Sequence, residues 1–193
     1  MKTLTKISAL VVLAISLSTI GKAQTTTSAP AQSTILSVGA EGGFSAGSFK
    51  QANKWNLGGS IQADIPVGQN LYVSGNAGYL NIFGKNNYYA NGNAAPDINL
   101  LPVKAGLKYF PIGKLYVQAD AGAAFVLNKS EVGYGRTAAF LYSPQIGIQL
   151  PLGGKSFIDA SALYEATTKF TDGVNSTKVN FFGIRLAYAI AVK

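Results

Sequence analysis

The chain has 193 residues, of which 48% are hydrophobic and only 12% charged, with a formal net charge of +8. A soluble domain carries about 25% charged residues, so this surface is short of the groups that water requires. Cys and His are both absent, which excludes disulfides, thiolate metal sites and Cys nucleophiles, and removes the commonest general base and metal ligand.

The N-terminus reads as an export signal. Lys2 and Lys6 precede the apolar run Ile7–Ile20, and Gly21 and Ala23 are the small residues expected at a cleavage site. That run is too short for a spanning helix, which needs about 20 residues. Residues 1–23 are therefore expected to be removed, leaving 13 basic and 8 acidic residues, a mature charge of +5. The stretch "QTTTSAPAQS", residues 24–33, is polar, small and aperiodic, and reads as a flexible linker. An exported chain does not meet nucleic acid routinely, so the basic balance is not read as a nucleic-acid signal.

From residue 34 to residue 193 the pattern is period two, the signature of strands. In "WNLGGSIQADI", Trp55, Leu57, Gly59, Ile61, Ala63 and Ile65 face one way, against Asn56, Gly58, Ser60, Gln62 and Asp64. "LYVQADAGAAF" and "FFGIRLAYAI" repeat the alternation at Leu115–Phe125 and Phe181–Ile190. Eight such segments are predicted, at about 34–44, 55–65, 71–82, 100–110, 115–127, 139–150, 156–168 and 179–192. Most suffice for a tilted strand to cross a bilayer, which takes about 9–11 residues.

The connections alternate in length. "DIPVGQNLYV", "YFPIGKLYV" and "QLPLGGKSFI" repeat one short turn, with Pro66 and Gly68, Pro111 and Gly113, and Pro151 and Gly153 in equivalent places. Pro is expected to stop the strand ladder and Gly to supply the positive φ of a tight turn. Residues 45–54, 83–99, 128–138 and 169–178 form four longer polar connections. Three short turns and four long loops join eight strands. The fold predicted is all-β: an eight-stranded antiparallel up-and-down transmembrane β-barrel, with both termini on the short-turn side.

In such a barrel the apolar face meets lipid and the polar face lines the axis. The polar face carries Glu41, Asp64, Lys104, Lys108, Asp120, Asp159, Glu165 and Arg185, expected as an interior network in a lumen with room for side chains and little else. Glu41 and Arg185 sit at similar heights on the first and last strands and are predicted to pair across the seam. Asp120 and Asp159 are the carboxylates that an acid/base pair would use, but Lys104 and Lys108 on the preceding strand favour ion pairing. No catalytic residue, cofactor site or metal ligand is assigned. Aromatics are expected in two outward girdles: Phe44, Trp55, Tyr79, Phe83, Phe140, Tyr142, Tyr164 and Phe182 towards the long loops, and Tyr72, Tyr109, Phe110, Tyr116 and Phe157 towards the short turns. Pro102 and Pro144 fall inside predicted strands and are expected at bulges or strand ends.

The segment "LLPVKAGLKYFPIGKLYVQADAGAAF", Leu100–Phe125, resembles the central hairpin of the small outer-membrane β-barrel domain family of Bacteroidota, related in architecture to OmpA-like and OmpX-like barrels. The resemblance covers roughly Thr34–Lys193. The chain departs from that pattern at "AYAIAVK", where Tyr188 is the last aromatic. The resemblance implies a bacterial outer-membrane location, insertion by the outer-membrane assembly machinery, and contact with outer-membrane lipid and lipopolysaccharide. Barrel enzymes of similar size or architecture generally depend on an active-site His, so a non-enzymatic structural or surface-interaction role is expected. A small porin-like pore and a soluble periplasmic lipocalin-like carrier are the alternatives.

Overall fold

The computed structural model describes residues 33–90, 92–173 and 177–192; the expected export signal, and all of the expected linker except Ser33, lie outside them. Eight strands follow in order: β1 (Thr34–Ser45), β2 (Asn53–Gly68), β3 (Leu71–Gly84), β4 (Ile98–Ile112), β5 (Leu115–Val126), β6 (Ala138–Gly153), β7 (Ser156–Thr167) and β8 (Asn180–Val192). Each pairs antiparallel with its neighbour in sequence, and β1 also pairs with β8, so the sheet is a closed barrel. The strands are 12 to 16 residues long, enough to cross a bilayer while tilted. The predicted segments match them, and the principal difference is that β2, β4 and β6 run further into the short turns than expected.

That difference corrects the expected role of the prolines. Pro66 still pairs with Tyr72 and Pro151 with Phe157, and register shifts fall between Pro66 and Gly68, Tyr109 and Ile112, and Pro151 and Gly153. Pro therefore sits beside or within a β-bulge at the strand end rather than stopping the ladder, since a bulge tolerates a residue without a ladder N–H. Pairing resumes at Gly68–Leu71, Ile112–Leu115 and Gly153–Ser156, so each turn has two residues between its last paired positions. Gly113 (φ 50°) and Gly153 (φ 109°) do adopt positive φ. In the first turn that conformation belongs to Asn70 (φ 61°) and not to Gly68, because Asn is the residue besides Gly that visits this region most readily.

Pro102 and Pro144 lie neither at a bulge nor at a strand end. Pro102 pairs with Ala124 on β5, while the β3 ladder skips from Ala77–Val103 to Leu80–Leu100 without a change of register. Pro144 pairs with Ala119 on β5, and the β7 ladder skips from Tyr142–Ala166 to Gln145–Leu163 in the same way. Each proline is accommodated by a local gap in one ladder.

The faces are inverted relative to a soluble barrel. Leu57, Ile61, Val117 and Ile184 point outward and are 44–68% exposed, whereas Asp120 and Arg185 are 4% and 3% exposed on the axis. Small inward residues let the wall approach itself. A Cβ added at Gly58 would stand 2.0 Å from the Tyr79 carbonyl oxygen, whereas at outward-facing Gly75 it would meet nothing within 4 Å. Gly58→Val is expected to cost about 1–3 kcal/mol or more through overpacking and to weaken or abolish the heat-modifiable folded band on gels. Gly75→Val should leave that band unchanged. Equal behaviour of the two variants would contradict this account of the wall.

Candidate functional site: the packed barrel interior

Strand alternation delivers all eight predicted polar residues to the axis, where each is at most 5% exposed. Glu41 and Arg185 are register partners across the β1–β8 seam, with Arg185 Nε 3.4 Å from Glu41 Oε1. Arg185 Nε also donates to Ser60 Oγ (2.9 Å), and Arg185 Nη2 donates to Ser37 Oγ (3.0 Å). The Ser60 hydroxyl in turn donates to the Glu41 carboxylate. Three strands are thereby tied at the closure point.

Two lysines from β4 organise the remainder. Lys104 Nζ donates to Glu165 Oε2 at 2.5 Å. Lys108 Nζ bridges Asp64 Oδ2 (2.9 Å) and Asp159 Oδ2 (2.8 Å), and lies 4.0 Å from the centre of the Tyr116 ring. Asp159 also accepts from the Tyr116 hydroxyl (2.7 Å) and from Gln149 Nε2 (2.8 Å). Asp120 is held by neutral donors: Ser74 Oγ (2.8 Å), Gln118 Nε2 (2.8 Å) and Gln145 Nε2 (2.7 Å). Among the described residues no cation comes within ion-pairing distance of it. Five buried carboxylates thus face three buried cations; Lys108 is shared by Asp64 and Asp159, Arg185 Nη1 also lies 3.9 Å from Asp159 Oδ1, and Asp120 is the carboxylate left without an ion pair. Asp120 and Asp159 share no hydrogen-bond donor and are joined only through the chain Lys108, Asp64, Gln62 and Gln118, which is not the arrangement of an acid/base pair.

The interior is not polar throughout, and here the expectation needs correcting. At the long-loop end the axis is apolar: Leu80, Ile82, Leu100, Val126, Leu141, Leu163 and Phe181 from the strands close around Phe49, Phe170 and Val179 from the loops. Phe49 sits in a short 3₁₀ helix, Gly47–Gln51. Tyr134 stacks on Phe170 with ring centres 5.1 Å apart. The loops that cover this plug are tied together by Arg136 N donating to Phe170 O (2.8 Å), Gly135 N donating to Thr171 Oγ1 (2.8 Å), and the exposed Arg136–Asp172 pair (2.6 Å). A signal for the plug exists in the sequence. At the long-loop ends of β3, β4 and β6, "YLNIF", "INLLPV" and "AAFLY" are apolar on both faces, so alternation of polarity lapses there.

The turn end carries a second correction. Of the five aromatics expected outward there, only Tyr109 is exposed. Tyr72 and Tyr116 are buried, and Phe110 and Phe157 pack inward on the cluster of Ile35, Tyr72 and Ala189. Tyr72, Phe110 and Tyr116 form a chain of ring contacts, 5.7 and 5.5 Å between centres, that floors the ion network. The long-loop girdle does face outward: Phe44, Trp55, Tyr79, Phe140, Tyr142 and Phe182 are exposed, and Trp55 stacks on Phe83 at 4.2 Å.

Removing one member of a buried pair leaves an uncompensated charge, at a cost of about 3–5 kcal/mol. Lys108→Met is therefore expected to lower the urea midpoint of the barrel in lipid vesicles far more than Asp120→Asn, which has no cation to strand. Comparable midpoints would refute the network. In the loops, burial pushes the Tyr134 hydroxyl up to about 12. An unfolded Tyr ionises near 10, so this contribution to stability is complete below pH 10 and lost as pH rises towards 12. Tyr134→Phe should flatten that alkaline loss, read as protease sensitivity of residues 128–138.

No family model and no curated protein matches the sequence. Solved structures do match in fold. The outer membrane protein OprG of Pseudomonas aeruginosa is 10% identical over 84% of this chain and 96% of its own, with a TM-score of 0.55. The outer membrane protein Ail of Yersinia pestis, in a phospholipid bilayer nanodisc, is 16% identical over 82% and 99%, with a TM-score of 0.54. The outer membrane protein AlkL, in lipid bilayers, is 15% identical over 88% and 95%, with a TM-score of 0.52. With its inverted faces, closed ladder and matching strand count, the chain has the fold of the small eight-stranded outer-membrane β-barrels.

Proposed function

We propose that the chain is a non-enzymatic integral protein of the bacterial outer membrane that serves a structural or surface-contact role and does not conduct. In this reading residues 1–23 direct export, the Pro–Gly turns face the periplasm, and the four long loops face outward. The observation that carries it is the filled axis, where an apolar plug, a charged middle and an aromatic floor are stacked in series within one narrow barrel. An eight-stranded barrel holds side chains or one small ligand, and here the side chains occupy it. The loops contribute Lys50, Lys54, Lys85, Lys129, Arg136, Lys169 and Lys178 against Asp97, Glu131 and Asp172. An excess of four positive charges suits the phosphates of lipopolysaccharide.

The two alternatives are disfavoured by specific features. A porin-like pore needs an aqueous path, and the apolar side chains packed around Phe49 and Phe170 argue against one. A lipocalin-like carrier needs a water-facing wall, whereas this wall exposes Leu57, Ile61, Ile184 and Leu186 together. The expected result is no stable conductance step in planar bilayers, and retention in the membrane fraction after carbonate washing. Reproducible open steps would establish the pore, and release by carbonate without detergent would establish the carrier.

A further inference from the structure

Gly42 has no backbone reason to be glycine. Its φ is not positive, and a Cβ there would meet Asn56 O and Leu57 Cδ1 at 3.6 and 3.7 Å, ordinary contact distances. Its effect is to remove bulk from the outer wall. Gly42 lies in register between Leu57 and Ile184, and Ala40 between Gly59 and Leu186. Together they form a trough of about 910 Å³ along β1. A second trough of about 550 Å³ runs beside Ala160 and Ala162 of β7, in the same two register rows, and adjoins the first at Ala162, Ile184 and Leu186. Because β7 and β1 are two strands apart, Ala160 in one trough and Ala40 in the other lie about 10 Å from each other.

Three further features say what fits there. The β1 trough ends at the row Phe44, Trp55 and Phe182, the level at which aromatics mark a membrane interface. It therefore lies in the leaflet on the long-loop side. The described loop residues above it, 46–52, 168–173 and 177–179, and the adjoining start of β2 carry Lys50, Lys54, Lys169 and Lys178. Their single acid, Asp172, is paired with Arg136 at 2.6 Å. Paired apolar troughs under a cluster of lysines match one ligand chemistry: several acyl chains attached to a phosphorylated headgroup.

We propose that the two troughs seat two acyl chains of a single lipopolysaccharide molecule, with the lysines above holding its phosphates. The site rests on the membrane reading given above. The troughs fix which lipid neighbour is bound and where, and an annulus of interchangeable lipid would need neither them nor the lysines.

The test uses the full chain, folded in lipid-free detergent micelles and titrated with lipopolysaccharide, with the heat-modifiability midpoint as readout. In the wild type the midpoint should rise with lipopolysaccharide and saturate. Gly42→Leu and Ala160→Leu each fill one of the two troughs from outside the barrel and should leave the lipid-free midpoint unchanged. Each is expected to raise the half-saturating concentration about fourfold, the loss of roughly one buried methylene contact. Lys54→Gln should weaken the response as well. If either trough variant fails to fold, the other carries the comparison. A wild-type response retained in both variants overturns the proposal, as does an equal midpoint shift with single-chain neutral lipid. Cross-linking of two copies through the Gly42 face would assign the troughs to a dimer instead. A wild-type chain with no heat-modifiable band would overturn the membrane reading itself, whereas a folded wild type whose lipopolysaccharide response both trough variants retain overturns the troughs alone.

Discussion

Closure of the backbone ladder between β1 and β8 is the constraint on which the other features depend. Hydrocarbon offers no partner to an unpaired N–H or C=O, and each such group costs several kcal/mol. A sheet in lipid must therefore have no edges. The ladder from Thr34–Val192 to Ser45–Phe181 supplies twelve register pairs at the seam, and Arg185, Glu41, Ser37 and Ser60 reinforce the joint from inside. The tolerance shown to Pro102 and Pro144 follows from the same rule. Each removes one donor, and each is placed where only one ladder gives way while the register on both sides is kept.

Once the sheet is closed with eight strands, its axis has room for side chains or one small ligand. The molecule fills it in layers. Charges occupy the middle, where three cations and a set of amides and hydroxyls hold five carboxylates. Apolar residues cluster at the loop end, and rings at the turn end. Buried ion pairs are weak evidence of net stability, since desolvation opposes the attraction. Their use here is better understood as register control. Arg185 and Lys108 each reach partners on strands distant in sequence, so a shift of one residue on any of these strands would send a charge into lipid.

Much of this was legible in the sequence, for reasons that also explain what was not. Period two from Trp55 to Ile65 specifies a face because both faces meet uniform surroundings there, lipid outside and polar groups inside. The repeated Pro and Gly mark short connections because few other residues suit a bulge followed by a two-residue turn. The apolar end of the axis was harder to read by the same logic: at Leu80, Ile82, Leu100 and Leu141 both faces are apolar, so the lapse of alternation marks the place but polarity no longer reports direction. Phe49, Phe170 and Val179 come from aperiodic loops, whose inward fold depends on the space left by the strands. The inward course of Tyr72 and Tyr116 was available from parity with Ser74 and Gln118, and was obscured by the general rule that aromatics gather at interfaces. The first turn used Asn70 where Gly68 was expected because both residue types tolerate the left-handed region and spacing alone does not separate them.

The composition of the plug has a consequence for how the barrel is made. In the orientation proposed above, its capping residues, which lie in loops, reach their seats only after the hairpins that carry them have crossed the bilayer. Until then the charged middle is open to water from that side, and its carboxylates and ammonium groups stay hydrated. Drying of the axis is thus a late event in biogenesis, coupled to arrival of Phe49 and Phe170 at the mouth. Chains stalled with any of these loops on the wrong side keep a wet, loosely joined interior that differs from the finished protein in solvent access before it differs in strand content.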